Sequence, residues 1–200
     1  MNTRFRLVGA ALAALCATAG VHAAPNLVAN GGFETGDLTG WVQTGDPTFA
    51  GATCGTGFGA GGSSCAAFFS TMGDTTGILQ TLTGLQVGQT YDVTFAFEPS
   101  TAATTSIDAS FGGTTLLNLM DAPAATPGYT NYSFDVVATS STETLSFDLK
   151  DDFDFVQLDA VGVSAVPEPD SLALIGAGLV AMAFVSRRRS SSTSSQARAA

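Results

Sequence analysis

Between residues 24 and 166 the chain has no arginine, no histidine and one lysine, Lys150, against fifteen aspartates and glutamates, so the stretch carries a formal charge near −14. A surface of that sign repels phosphate backbones and excludes nucleic acid as a partner. It is compatible with neutral glycans and divalent cations. The only histidine of the chain, His22, lies in the N-terminal segment. Its position there removes Ser-His-Asp and Cys-His arrangements from the mature protein. Carboxylates could in principle work as a glycosidase pair, yet no pair is singled out by spacing. The chain reads as non-catalytic. Disorder, the other reading of an acidic chain, conflicts with the regular spacing of Phe, Tyr, Val and Leu.

Cysteine is scarce as well, with three in 200 residues. Cys16 falls in the N-terminal apolar run, leaving Cys54 and Cys65 as an even pair in an exported chain, which reads as a disulfide. Closing the glycine-rich loop between them should stabilise the fold by roughly 2–3 kcal/mol. Within that loop Gly57, Gly59 and Gly62 match a G-x-G-x-x-G spacing. A nucleotide site of that type needs a strand before it and a helix after it, and neither is suggested here.

Helical periodicity is nearly absent between Ala24 and Val166. Period-2 alternation takes its place: Tyr91, Val93, Phe95 and Phe97; Tyr132, Phe134 and Val136; Leu145, Phe147 and Leu149. Each reads as a strand with one buried face. Weaker strands are expected at Asn26–Ala29, Gly40–Thr44, Ala66–Thr71, Gly77–Thr83, Ser106–Phe111, Thr114–Leu119 and Phe155–Val163. About ten short strands at this spacing predict one all-β domain, an antiparallel jelly-roll β-sandwich over residues 24–166.

The two ends read as addresses. Arg4 and Arg6 precede an apolar run from Leu7 to Ala19, and Val21-His22-Ala23 offers a signal peptidase site, so residues 1–23 form a signal peptide. At the other end stands Val166-Pro167-Glu168-Pro169, then an uncharged apolar run of fourteen residues at 172–185, then Arg187-Arg188-Arg189. That run is short for a lasting helical span, which needs roughly 20 residues. The arginines favour the cytoplasmic side. The two prolines hold Glu168 in extended backbone that a protease can bind. Residues 190–200 are a Ser-rich disordered tail.

From Val166 to Arg189 this order closely resembles the PEP-CTERM sorting signal of Gram-negative bacteria. The resemblance implies recognition and cleavage by an exosortase, a membrane protease-transpeptidase of bacteria that make exopolysaccharide and biofilm. Sorting residues would be Pro167, Glu168, Pro169, Arg187, Arg188 and Arg189 in a segment spanning 167–189. The protein would be exported across the inner membrane, anchored there transiently, and delivered to the cell surface or extracellular matrix.

The opening Asn26-Leu27-Val28-Ala29-Asn30-Gly31-Gly32-Phe33-Glu34-Thr35-Gly36, followed by Gly40-Trp41, resembles galactose-binding-like jelly rolls that include many carbohydrate-binding modules. Leu158-Asp159-Ala160-Val161-Gly162-Val163 resembles their closing strand, which lies beside the first. In those modules the residues matching Glu34 and Asp159 often help to hold a structural calcium ion. Asp159 also shares strand parity with Val161 and Val163, which would aim it inward, and a buried carboxylate needs a partner. The other reading of the pair is hydrogen bonding to the turn at Asn30–Gly32, or exposure to solvent. Asp151, Asp152 and Asp154 read as a solvated turn. Trp41 and Tyr129 are the aromatics that could meet a sugar, with core packing the alternative for each. Exopolysaccharide is the expected partner; the other function class is a structural surface or matrix protein with no small ligand.

Overall fold

A computed structural model describes residues 24–100, 105–120, 128–152, 154–167 and Gly178. The signal peptide, the sorting residues beyond Pro167 and the Ser-rich tail lie outside these residues. Ten strands form two five-stranded antiparallel sheets packed face to face. One sheet has the order β1 (Val42–Gly45), β4 (Thr76–Thr83), β9 (Thr142–Lys150), β6 (Ser106–Phe111), β7 (Thr114–Leu119). The other has the order β2 (Ala50–Cys54), β3 (Cys65–Phe69), β10 (Val156–Ala165), β5 (Thr90–Glu98), β8 (Thr130–Val137). The expected all-β sandwich is what the chain forms.

The alternating residues supply the core. Tyr91, Val93, Phe95 and Phe97 of β5 and Leu145, Phe147 and Leu149 of β9 are buried on the facing sides of the two sheets. The Phe95 and Phe147 rings meet edge to face with centroids 5.1 Å apart, bridging the sheets. An edge-to-face pair contributes about 0.5–1.5 kcal/mol beyond the area it buries.

Two strand expectations need correction. Ala50–Cys54 is a strand that alternation missed, since Ala-Gly-Ala-Thr-Cys has no large apolar residue to mark a face. Asn26–Ala29 is not a strand. The Asn26 side chain does the ladder's work instead: its Oδ1 accepts from both Val28 N and Val163 N, and its Nδ2 donates to the Val161 carbonyl. A side chain that bonds its own backbone two residues on bends the chain into a turn. The opening segment still lies beside β10, through Leu27 N to Val163 O at 2.8 Å and Val161 N to Gly31 O at 2.8 Å. First and last segments are side by side, as the resemblance implied.

Gln80 of β4 fixes the opening segment from the other sheet. It is buried, accepts from Ala29 N and donates to the carbonyls of Ala29 and Gly40. Asn30 orders the loop that follows by donating to the carbonyls of Asp37 and Thr39.

Candidate functional site

The seam between the chain's two ends comes first. β10 shifts register against β5 between Asp159 and Gly162, with Ala160 in the left-handed region at φ 51°. Such a one-residue bulge reverses which side chains point inward. Leu158, Val161 and Val163 reach the core, and Asp159 falls on the outer face opposite Ala96. The inward parity expected for Asp159 is therefore wrong, and the bulge is the reason. Asp159 is nevertheless fully buried. What covers it is the loop closed by the Cys54–Cys65 disulfide, whose Ala60 N–H donates to Asp159 Oδ2 at 2.7 Å while Ala160 N–H donates to Oδ1.

Glu34 reaches the same loop from outside. Its Oε1 accepts from the Ser63 hydroxyl and the backbone N–H groups of Ser64 and Cys65. The Ser63 hydrogen bond, followed by that of Ser64, holds the Glu34 carboxyl below its usual range. Burial pushes Asp159 up, against the pull of the Ala160, Ala60 and Ser63 hydrogen bonds, and the Glu34 charge adds to the rise. The structure thus brings the two carboxylates to one loop. Their donor set suits a hard cation: carboxylate and hydroxyl oxygens, a buried carboxylate, and no basic side chain bonded to it among the described residues. Among the described residues no group of three or more His, Cys, Asp or Glu converges, so carbonyls or water would supply the rest of a calcium shell.

A second feature lies on the outer face of the β2-β3-β10-β5-β8 sheet. Register aligns Gly51 of β2 with Phe68 of β3, Phe68 with Gln157 of β10, and Gln157 with Glu98 of β5. Tyr129, just before β8, completes the row: its hydroxyl donates to the Phe58 carbonyl at 2.6 Å and lies 3.1 Å from Gln157 Oε1. The Phe68 ring lies against Gly51, where a Cβ would stand 2.8 Å from the ring's far end and make it shift. Phe155 is exposed and meets Phe68 edge to face at 5.6 Å. Aromatic rings, an amide and a carboxylate therefore lie along one line of the sheet. Burial raises the Tyr129 hydroxyl above its ordinary value, helped by the charges of Asp159 and Glu98.

Trp41 is not part of that face. It is 8% exposed, stacks on Phe33 at 5.9 Å, tilts against Phe147 at 6.2 Å and donates its Nε1–H to the Asn30 carbonyl. An indole packed this way presents no ring face to a sugar, and the sugar-stacking expectation for Trp41 is corrected accordingly. The Asp151–Asp154 stretch is corrected too. Asp151 is fully buried and accepts from the Ser100 and Thr105 hydroxyls through Oδ2. Asp152 bonds Thr71 and Gly73 and pairs with Lys150 at 3.6 Å. Of the three, Asp154 is exposed.

The other sheet's outer face carries no aromatic ring among the described residues, and a polar row, Thr44, Gly77, Asp148, Asp108 and Asn118, aligns across its five strands. Burial, then the Asp108 charge, raises Asp148, and Thr44 counters by hydrogen bonding. Sequence reasoning missed the Phe68–Gln157–Glu98 row altogether, since only sheet register brings together residues so far apart in the chain.

Residues 165–189 match the PEP-CTERM protein-sorting motif, and residues 25–154 match a family described as carbohydrate binding domain. No curated protein sequence matches. Among solved structures, TmCBM61 in complex with β-1,4-galactotriose is similar at 15% identity with a TM-score of 0.58, over 71% of this chain and 99% of that one. The enzymatically active domain of bacteriophage CBA120 tailspike protein 4 is 16% identical with a TM-score of 0.52, over 70% of this chain. This chain spans 21% of that tailspike chain. The K1 cleaved adhesin domain of Lys-gingipain from Porphyromonas gingivalis W83 is 16% identical with a TM-score of 0.51, over 68% of this chain and 96% of that one. These likenesses concern the fold. The sorting motif indicates export and membrane-anchored sorting before processing by an exosortase. With an all-β sandwich whose first and last segments lie side by side, and a family match running from residue 25 to residue 154, the chain belongs to the carbohydrate binding domain family and carries a PEP-CTERM sorting motif at its C-terminal end.

Proposed function

We propose that this protein is a non-catalytic binder of exopolysaccharide, delivered to the cell surface or matrix, and that it grips the glycan on the outer face of the β2-β3-β10-β5-β8 sheet. The observation behind this reading is the row Phe68, Gln157, Glu98 and Tyr129, with Phe155 at its edge. Sugar rings offer an apolar C–H face and a rim of hydroxyls; an aromatic side chain matches the first and amides and carboxylates match the second. Titration of the domain over residues 24–166, which holds all ten strands, against the host's exopolysaccharide tests it. Phe68→Ala and Gln157→Ala should each weaken binding by about tenfold or more, ~1.4 kcal/mol. Asp148→Asn, on the opposite outer face, should leave affinity unchanged. If Asp148→Asn abolishes binding while Phe68→Ala does not, the face is misassigned. A folded domain that binds no glycan would favour a structural matrix protein.

Structural calcium at the seam is part of the same reading, held by Glu34 and Asp159 with carbonyls of the disulfide loop. The support is the buried Asp159 carboxylate, which no basic side chain neutralises. Calcium at one hundred times its Kd should raise stability by about 2.7 kcal/mol. Chelator should reverse the rise, and Asp159→Asn should remove the response. An identical melting curve in chelator and in calcium would end the proposal.

A further inference from the structure

The fold stops where the sorting motif starts. Ala165 is the last residue of β10, paired with Tyr91 of β5. Val166 is still held: its N–H donates to the Thr90 carbonyl at 2.9 Å, and its own carbonyl accepts from Gln89 Nε2 at 2.7 Å. The next residue is Pro167. Only residues 167–171 therefore separate the last clamped residue from the apolar run that begins at Leu172. Five residues reach roughly 17 Å at full extension. The polar interface of one leaflet takes up about 5–7 Å of that. The end of the sandwich from which the chain leaves is thus held within about one Debye length of the lipid headgroups, ~10 Å.

The N-terminal side leads to the same place. Asn26 and Leu27 are bonded to Val161 and Val163, so Ala24 also sits at the end where Val166 leaves. While either terminal apolar segment is in the membrane, this end of the domain faces it.

The composition of that end matches the position. It is built from three turns: residues 84–89 between β4 and β5, 112–113 between β6 and β7, and 138–141 between β8 and β9. The first and third are tied by Leu85 N to Ser141 O and by Gly88 N to Ala138 O, and Gly112 N of the second donates to the Thr144 carbonyl of β9. None of the three turns carries a charged residue, in a domain whose formal charge is near −14. They present Val87, 68% exposed, and Val137, the last residue of β8, is 57% exposed where that strand runs into the third turn. Asp92 and Asp135, directly opposite each other two residues into β5 and β8, lie on the same outer face as Val137 and mark where the uncharged end stops. Glu143 is buried, its Oε1 tied to Thr139 and Ser140. At the other end stand Asp46, Asp74, Asp151, Asp152 and Asp154 with Lys150. A ten-residue strand spans about 33 Å, so those charges lie about three Debye lengths further from the bilayer.

We propose that the uncharged turn end, centred on Val87 and Val137, is a lipid-facing surface. It lies against the membrane before processing and turns the acidic end and the glycan face outward. This rests on the membrane-anchored reading of the sorting motif. The test uses the full chain carrying Cys16→Ser, reconstituted into phosphatidylcholine vesicles with and without anionic lipid. One fluorophore is placed by Val87→Cys, or by Met72→Cys at the opposite end, where Met72 is exposed. With headgroup-quencher lipid, the label at position 87 should be quenched several-fold more than the label at 72, in both vesicle types. Equal quenching at the two positions, in protein that floats with the vesicles, overturns the surface assignment. Protein that does not float overturns the anchored reading itself, and the assignment with it.

Discussion

Replacing Gly31 with alanine should lower the melting temperature of the domain by about 10 °C, a loss of about 3 kcal/mol at this chain length. A Cβ at position 31 would stand 2.0 Å from the Val161 carbonyl oxygen and 3.2 Å from Val28 Cγ1. Ordinary contact between carbon and oxygen is well over an ångström longer, and the atom in the way is backbone, which cannot swing aside. One segment must therefore withdraw from the other. The bond from Val161 N to Gly31 O goes first, and the contacts of Leu27 and Asn26 with Val163 are next in line. Thermal unfolding of Gly31→Ala beside Gly32→Ala checks the cause. A Cβ at 32 meets its nearest atom at 3.8 Å, so that variant should cost little. Equal losses in the two would mean that backbone entropy, rather than contact with β10, sets the requirement for glycine.

That close approach explains how much of the fold was readable. Asn-Gly-Gly-Phe at 30–33 carried the likeness to a known opening, and the reason for its first glycine is the β10 backbone passing against it. The strands with large alternating residues, such as β5 and β9, were legible because their buried sides must be apolar. β2 was not legible, because Ala-Gly-Ala-Thr-Cys carries no large apolar residue to mark a buried face. The orientation of Asp159 was misread because period 2 holds only while register is kept, and Ala160 breaks it with a left-handed backbone that a non-glycine residue seldom announces. The glycan-facing row was out of reach for a different reason. Its members come from four separate stretches, and adjacency exists only once β3, β10 and β5 pair.

The acidic stretch at 151–154 shows the same limit and carries the second large effect. In sequence, Asp-Asp-Phe-Asp looks like a turn in water; in the fold its first carboxylate is fully buried. Asp151 Oδ2 accepts from the Ser100 and Thr105 hydroxyls, and Oδ1 from Asp154 N at 3.2 Å. Its backbone joins the same knot, accepting from Thr71 N and the Ser70 hydroxyl and donating to Thr71 Oγ1. One side chain therefore ties the ends of β5, β6, β9 and β10 together. A hydrogen bond to a charged group contributes about 1.5–3 kcal/mol, and removing the acceptor of a buried donor adds part of that donor's desolvation cost. Two buried hydroxyls, Ser100 and Thr105, and the more exposed Asp154 N–H, treated as strongly non-additive, give an expected loss of about 3–5 kcal/mol for Asp151→Ala in urea unfolding. Asp151→Asn keeps the shape but turns one acceptor into a donor, which conflicts with either the hydroxyls or the Asp154 N–H. It should lose about half as much. The exposed neighbour gives the comparison: Asp154→Ala should change the unfolding free energy by under about 0.5 kcal/mol. An Asp151→Ala midpoint as close to the parent's as that of Asp154→Ala would show that the hydroxyls find other acceptors, and that the knot is held by its backbone bonds alone.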